Sequence, residues 1–315
     1  MFTVEKMDWL LKEASEICPI CIPSYKRYDR KKNKTIVKII EKCDKQIQEN
    51  TYVFVRKEQV EQYNNSFPTV NIVPLPQVNG LAGTRQYICD FVTDELKKPY
   101  FMDVDDDITD LKTVTLSEEG KPCLSKSGEV DCGRIIRLGY EIAKIAFGLH
   151  NCFLGNFRRV RFANQYANTQ TAYVTNKGAT PRQVMYVNAQ LLKDNGIRRN
   201  LMFDPTGDDV GFVAEIAKKQ GSFFNIPCLA YSFIDDSVNS VIRNDSNRKQ
   251  LANYEESCIM KYPMKDYLRI PFKFDDGSYK FSDIDFTKYR KITGLSSETM
   301  PLEAVYDVKR KKVFG

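Results

Sequence analysis

Short β-rich runs alternate with helical ones through the first hundred residues, and no other feature restricts the fold so much. ICPICIPSY (17–25) reads as a buried strand stopped at Pro23, and KTIVKIIEKCDKQIQE (34–49) has the apolar spacing of a helix. TYVFVR (51–56), VNIVPLP (70–76) and PYFMDV (99–104) are further strands, separated by the short helix KEQVEQYNN and by the helix GTRQYICDFVTDELKK (83–98). Serial β-α-β units of this size pack as parallel strands with right-handed crossovers. The expected fold class is therefore α/β, a Rossmann-like, mainly parallel sheet with helices on both faces.

In open sheets of this kind, ligands sit outside the carboxyl ends of the strands. The fourth strand runs into DVDDD, with Asp103, Asp105, Asp106 and Asp107 crowded at such an end. Without a cation these carboxylates repel, and one or more tends to hold a proton. A divalent ion removes that cost, and Mg²⁺ in particular is held by one or two carboxylates plus substrate phosphates. Asp is also common in turns and helix caps, so the placement rather than the composition points to a metal and a phosphorylated ligand. Three other segments suit the same site. IPSYKR offers Ser24, Lys26 and Arg27 to a nucleotide and Tyr25 to a base. AGTRQ presents Gly83 and Arg85 at a helix start, where phosphate binds well. GDD places Asp208 and Asp209 at another helix start, about a hundred residues later.

The remainder is read more coarsely. Residues 112–133 are polar and weakly periodic, a loop or insertion, and GRIIRLGYEIAKIAFGL (133–149) is a helix. Residues 160–190, rich in Tyr, Val and Thr, look like hairpins. GDDVGFVAEIAKKQG (207–221) is an amphipathic helix stopped at glycine, and IPCLAYSFI (226–234) is a strand. At 315 residues and 42% hydrophobic content the chain buries a real core. No stretch approaches the roughly 18 apolar residues that span a bilayer, so a cytoplasmic location is expected. Nine scattered cysteines argue for reduced thiols, and Cys18 and Cys21 of CPIC, lying in a strand with no second pair at zinc-like spacing, read as buried. The net charge is +6, with basic runs at 26–34, 158–161, 197–199 and 309–312. Each alone reads as solvated surface; together they make a polyanionic partner plausible.

The order IPSYKR, VFVRKEQVEQY, VNIVPLP, GLAGTRQY, YFMDVDDD and GDDVGFVAEIAKKQG resembles the nucleotide-sugar glycosyltransferases of the GT-A fold over roughly residues 17–235. Within that group it is most similar to the glycosyltransferases associated with the TET/JBP base oxygenases. These are encoded by bacteriophages and by organisms that make glucosylated thymine, and they put sugars on hydroxymethylated pyrimidines in DNA. The resemblance implies a GT-A-like domain over 1–238, with a nucleotide-sugar half at 17–110 and an acceptor half at 133–238. Residues 239–315 are then a C-terminal, acceptor-side extension. If the chain is phage-encoded, its location is the host cytoplasm.

Residue roles follow from the same resemblance. Pro23, Ser24, Tyr25 and Arg27 border the nucleoside, Gly83 and Arg85 lie near the ribose and pyrophosphate, and Asp103 belongs to the same nucleotide-sugar site. Asp103 and Asp105 form the Asp-x-Asp pair, with Asp105 the metal ligand and Asp106 or Asp107 as alternates; the cofactor is Mn²⁺ or Mg²⁺. Asp208 and Asp209 form the acidic pair whose second member is the base, with a pKa expected to be raised beside its neighbour. Two features depart from the family. Arg56 stands where many relatives carry an acid that reads the nucleoside, and the single histidine, His150, lies too early to be the late metal ligand and is read as structural. The expected reaction moves a sugar from a UDP-sugar to the hydroxymethyl group of 5-hydroxymethylcytosine or 5-hydroxymethyluracil in DNA, with inversion. The acceptor base must be flipped or single-stranded, and Arg158, Arg159, Arg161, Tyr173 and Arg182, with Tyr166, are its expected contact surface. Protein or polysaccharide acceptors are the alternative. A sugar nucleotidyltransferase fits less well, because those enzymes place a glycine-rich loop after the first strand.

Overall fold

The computed structural model describes residues 3–77, 80–149, 152–160, 173–175, 181–203, 208–234, 248–261 and 299–314, with residue 288 and the pairs 268–269, 272–273, 279–280 and 283–284. The four expected strands form as β1 (Ile20–Pro23), β2 (Thr51–Arg56), β3 (Asn71–Leu75) and β4 (Tyr100–Val104). They are all parallel, and β1 lies between β2 and β4. All four residues of β1 are buried, as expected for a strand covered on both faces.

Three segments depart from the expectation. The helix expected over 34–49 breaks into α2 (Lys34–Lys38), a 3₁₀ turn (Ile40–Lys42) and α3 (Lys45–Glu49). Asp44 starts the last piece, its side chain accepting from the Ile47 backbone N–H as an N-cap. The expected loop after the aspartates is instead β5 (Ile108–Leu116), which forms a hairpin with β6 (Pro122–Leu124). Its residues alternate only partly between core and solvent, which blurs the period of two. At the start of the chain, α1 (Val4–Glu13), capped by Thr3, buries Met7, Leu10 and Leu11.

Helices α4 (Val60–Ser66), α5 (Gly80–Asp94) and α6 (Cys132–Leu149) follow as read. Beyond α6 come β7 (Cys152–Arg159), β8 (Tyr173–Thr175), β9 (Val184–Asn188), α7 (Ala189–Asp194), α8 (Asp208–Lys218) and β10 (Ser222–Phe233). Among the described residues the sheet runs from the short strand Thr299–Pro301 through β8, β10, β7, β9, β4, β1 and β2 to β3. Strand β9 is antiparallel to both β4 and β7, while β10 is parallel to β7. Strands β7 and β10 therefore point the same way as β1–β4, and their carboxyl ends share one edge with the aspartate cluster. The pairing of β10 with β7 slips between Ile226 and Ala230, where Pro227 has no N–H to give the ladder.

Two cores cover the faces of the sheet. One packs α1 and α6, with Leu10, Ile135, Ile142 and Phe157; the other packs α5 and α8, with Ile88, Val92, Phe212 and Ile216. Both cysteines of CPIC are buried. At the other end of the chain, Thr299–Pro301 pairs with β8, and the helix Leu302–Phe314 returns to α1 through Lys6–Glu303 and Trp9–Tyr306 contacts. No helix among the described residues is long and apolar enough to cross a membrane.

Helix α6 approaches the sheet closely at Gly139, where a Cβ would lie 2.6 Å from the Phe157 ring and 2.9 Å from Tyr186. Tyr186 cannot retreat, because its hydroxyl donates to the Ile136 carbonyl at 2.6 Å. Gly139→Ala is expected to lower stability by about 1–3 kcal/mol through overpacking, read as a lower urea midpoint.

Candidate functional site

Strand β4 ends at Val104, so the four aspartates meet different surroundings. Asp103 is still inside the strand and 1% exposed. Asp105, Asp106 and Asp107 form the turn into β5, which is pinned by the Asp105 backbone N–H donating to the Gln183 carbonyl and by the Thr35 hydroxyl donating to the Asp105 carbonyl. Arg85 comes from the second turn of α5 and is 3% exposed. Its guanidinium faces four carboxylates. Nη2 is 2.5 Å from Asp105 Oδ1, Nη1 is 2.9 Å from Asp208 Oδ2 and 3.0 Å from Asp209 Oδ1, and Nε is 3.3 Å from Asp103 Oδ2. The last contact is near enough for ion pairing but misaligned as a hydrogen bond.

A second buried arginine completes the cluster. Arg199 Nη1 donates to Asp208 Oδ2 at 2.7 Å, and Nη2 lies 3.6 Å from Asp103 Oδ2. Two cations thus neutralise the two buried acids, Asp103 and Asp208, and leave the charges of Asp105 and Asp209 at the mouth. These mouth side chains are 25% and 27% exposed.

Ionisation follows this arrangement. Burial opposes the charge on Arg85, but the surrounding carboxylates outweigh it and hold the guanidinium well above its ordinary pKa. For Asp208, burial is overcome by Arg199 and Arg85, and its pKa falls. Burial wins at Asp103, whose pKa is raised. Asp105 is pushed up to about 7 by burial and by its neighbours Asp107, Asp209 and Asp103, against the pull of Arg85. Burial raises Asp106 and Asp107 to about 6.

The residues expected at the nucleoside gather beside this cluster. Ser24 Oγ donates to Asp106 Oδ2 at 2.6 Å, and Arg27 Nη1 donates to Asp106 Oδ1 at 2.6 Å. Lys26 holds a left-handed backbone, φ 55°, which turns Arg27 back toward the sheet; Gln59 and Tyr63 brace this turn by accepting the Lys26 and Arg27 backbone N–H groups. Asp106 is therefore committed to structure. Tyr25 lies between two cations, with Arg56 Cζ 4.9 Å and Lys26 Nζ 5.1 Å from its ring centroid. Next to it, at the ends of β2 and β3, a cavity of about 370 Å³ is lined by Arg56, Lys57, Glu58, Leu75, Gln77 and Thr84. Pro23 ends β1, and Gly83 lies half-buried in the first turn of α5.

Arg85 is buried beneath the carboxylates, and Asp208 is the buried member of its pair, so the half-buried Asp209 faces the mouth. Among the described residues no three His, Cys, Asp or Glu side chains converge as a metal cage. Asp103 is occupied by two arginines. The carboxylates suited to a divalent ion are Asp105 and Asp107, the latter with Oδ1 shielded from solvent and without a hydrogen-bond partner. Two such groups fit an ion that also takes phosphate oxygens.

On the acceptor side, Arg158 is 4% exposed and packs on Asn225 inside the sheet. Arg159 stacks on Phe233 with Cζ 4.6 Å from the ring centroid, and its Nε donates to Tyr231 Oη at 3.3 Å. Arg182 lies next to Gln183 at the turn that holds Asp105, half-buried. Arg161, Tyr166 and His150, and the side chain of Tyr173, lie outside the described residues. Arg199 escaped sequence reading because IRR looks like any basic run. Nothing in the sequence separates the buried Arg199 from the exposed Arg198 beside it.

Residues 18–131 match the family model of the TET-associated glycosyltransferases, a little over a third of the chain. That segment carries β1–β6, with Ser24, Arg56, Arg85 and the whole aspartate cluster. The match bears out the resemblance read from the motifs and makes the protein a glycosyltransferase. Among curated proteins, none matches the sequence. Solved structures with a similar chain path include S. aureus TarS in complex with UDP (12% identity, 80% of this chain and 77% of that one, TM-score 0.39). Others are GalNAc-T7 with UDP, GalNAc and Mn²⁺ (9%, 90% and 55%, 0.43) and the glycosyltransferase GlyE of Streptococcus pneumoniae (12%, 75% and 60%, 0.36).

Two outcomes follow from the charge cluster. Arg85→Met leaves its carboxylates short of a buried cation, and breaking such a pair costs about 3–5 kcal/mol, visible in thermal or urea unfolding. The raised acids set the second. Asp105, Asp106 and Asp107 bind protons in the folded state that the unfolded chain has released, so their stabilisation is full below an ordinary carboxylate pKa, about 4. It is lost as pH rises through about 6 to about 7. Asp208 acts oppositely, but its contribution is already complete above the unfolded carboxylate pKa. Without divalent ions the melting temperature is expected to fall from pH 5 to pH 8, and Asp105→Asn to flatten that fall.

Proposed function

We propose that this chain, whose residues 18–131 match the family model of the TET-associated glycosyltransferases, transfers a sugar from a UDP-sugar to the hydroxymethyl group of 5-hydroxymethylcytosine or 5-hydroxymethyluracil in DNA. The observation that carries this reading is the span of Arg85. One guanidinium holds Asp105, at the donor end of β4, and Asp209, at the start of α8. A donor-side carboxylate and a carboxylate able to take a proton therefore open onto the same mouth.

The donor nucleoside is assigned to Tyr25, Arg56 and the cavity between β2, β3 and α5. Tyr25 offers a ring for stacking, and Arg56 and Glu58 offer a donor and an acceptor to a base edge. Asp105 and Asp107 are the residues that would hold Mn²⁺ or Mg²⁺, which when bound stabilises negative charge on the departing diphosphate. The acceptor hydroxyl, with a pKa far above neutral, needs a base as it attacks the anomeric carbon. Asp209 takes that proton. The new C–O bond forms as the bond from the anomeric carbon to the β-phosphate oxygen breaks, and its electron pair leaves on UDP. A single displacement of this kind inverts the anomeric carbon. Asp208 stays ionised between Arg85 and Arg199 and does not meet substrate.

DNA as acceptor is supported by the family and by the surface beside the mouth. Arg159 stacked on Phe233 offers a flat cationic plate to a base or phosphate, with Arg182 adjacent. A base reaches that mouth only when flipped or single-stranded.

The test incubates protein, Mn²⁺, a panel of UDP-sugars and DNA bearing either hydroxymethylpyrimidine, then weighs the digested nucleosides by mass spectrometry. A sugar-sized mass gain is expected, lost in Asp105→Ala and reduced by about 10²-fold or more in Asp209→Asn, as for removal of a general base. UDP release without any nucleoside gain would remove DNA as acceptor and leave a protein or polysaccharide in its place. No UDP release from any donor would remove the UDP-sugar reading itself.

A further inference from the structure

Arg199 takes no part in the reaction described above, yet it is among the most completely enclosed charges of the site, with a side chain 1% exposed. Its backbone N–H donates to Gln86 Oε1 at 2.9 Å, and the neighbouring Arg198 pairs with Asp90 at 2.8 Å. Residues 198–199 are thus fastened to α5, the helix that carries Arg85. From there the guanidinium reaches α8 in two ways. Nη1 donates to Asp208 Oδ2, and Cζ lies 4.0 Å from the centroid of the Phe212 ring. Asp208 and Phe212 are four residues apart and share one helical face. Arg199 is therefore gripped at its edge by a carboxylate and at its face by an aromatic ring, both on the opening turns of α8.

From this geometry we propose that Arg199 is a positioning residue for glycosyl transfer. It locks the first turn of α8 to α5 and so aims Asp209 across the mouth toward Asp105, without touching donor or acceptor. The inference rests on Asp209 being the base. Only arginine meets both demands, because a planar guanidinium stacks and donates from its edge at once, whereas an ammonium is a point charge. The contact of Nη2 with Asp103 Oδ2 at 3.6 Å adds a third anchor, this one on β4. A small rotation of α8 would carry Asp209 away from the acceptor hydroxyl while leaving the cavity at β2 and β3 unchanged.

The test compares wild type, Arg199→Lys, Asp208→Asn, Arg199→Met and the Arg199→Met/Asp208→Asn double variant. It records kcat for UDP release from the donor, the Kd of UDP with Mn²⁺ by calorimetry, and the melting temperature. Misplacement of a base is expected to lower kcat by about tenfold or more in Arg199→Lys, with the Kd for UDP changing by less than about threefold. The double variant is expected to be no slower than Asp208→Asn, because residues acting through one another are not additive. The proposal is overturned by an Arg199→Lys kcat equal to wild type, by a Kd that rises in step with the fall in kcat, or by additive losses in the double variant. If Arg199→Met fails to fold, Arg199→Lys decides through the split between kcat and Kd. Absence of UDP release from wild type is a different result, and it overturns the reaction rather than the role of Arg199.

Discussion

Arg85 is a guanidinium with no solvent, enclosed by four carboxylates from two distant parts of the chain. A buried cation with one partner is costly, and four acids within a few ångströms are costly too; each cost is removed by the other. The rest of the site follows from that exchange. Strand β4 must end where Asp105 can reach Nη2, α5 must present its second turn to the sheet, and α8 must begin at Asp208. Arg199 then balances what Arg85 leaves over among the buried acids, so that the remaining negative charge stands only at the mouth.

The same exchange separates four similar aspartates into different tasks. Asp103 is structural because the strand has not yet ended, and Asp106 is structural because Ser24 and Arg27 hold it. Asp105 and Asp107, like their neighbours, have pKa values raised first by burial, and adjacent carboxylates raise them further. Such groups are stable in protonated form or with a cation, and a nucleoside diphosphate accompanied by a metal supplies one.

Much of this was legible in the sequence. The parallel order of β1–β4 could be read because buried strands and amphipathic helices carry strong periods, and DVDDD could be read as a site because it follows an apolar strand. Even the burial of Asp103 was implicit in a strand placed over 99–104. The hairpin β5–β6 was missed because a half-covered strand has a mixed pattern. The inward turn of Arg85 and the role of Arg199 were missed for another reason. The partners of a buried arginine lie far away in sequence, and an arginine in contact with four carboxylates is spelled the same as one in water.

The four segments of this cluster come from two stretches of opposite net charge. Residues 1–130, with Arg85, Asp103 and Asp105, carry a slight excess of acids, and residues 131–315, with Arg199, Asp208 and Asp209, hold the excess of bases that makes the net charge +6. The halves of the sheet therefore attract before they touch, and Arg85 and Arg199 fix at short range how they meet. Screening shortens the reach of the first attraction far more than that of the second, so added salt should slow the docking of the two halves more than it loosens the folded cluster.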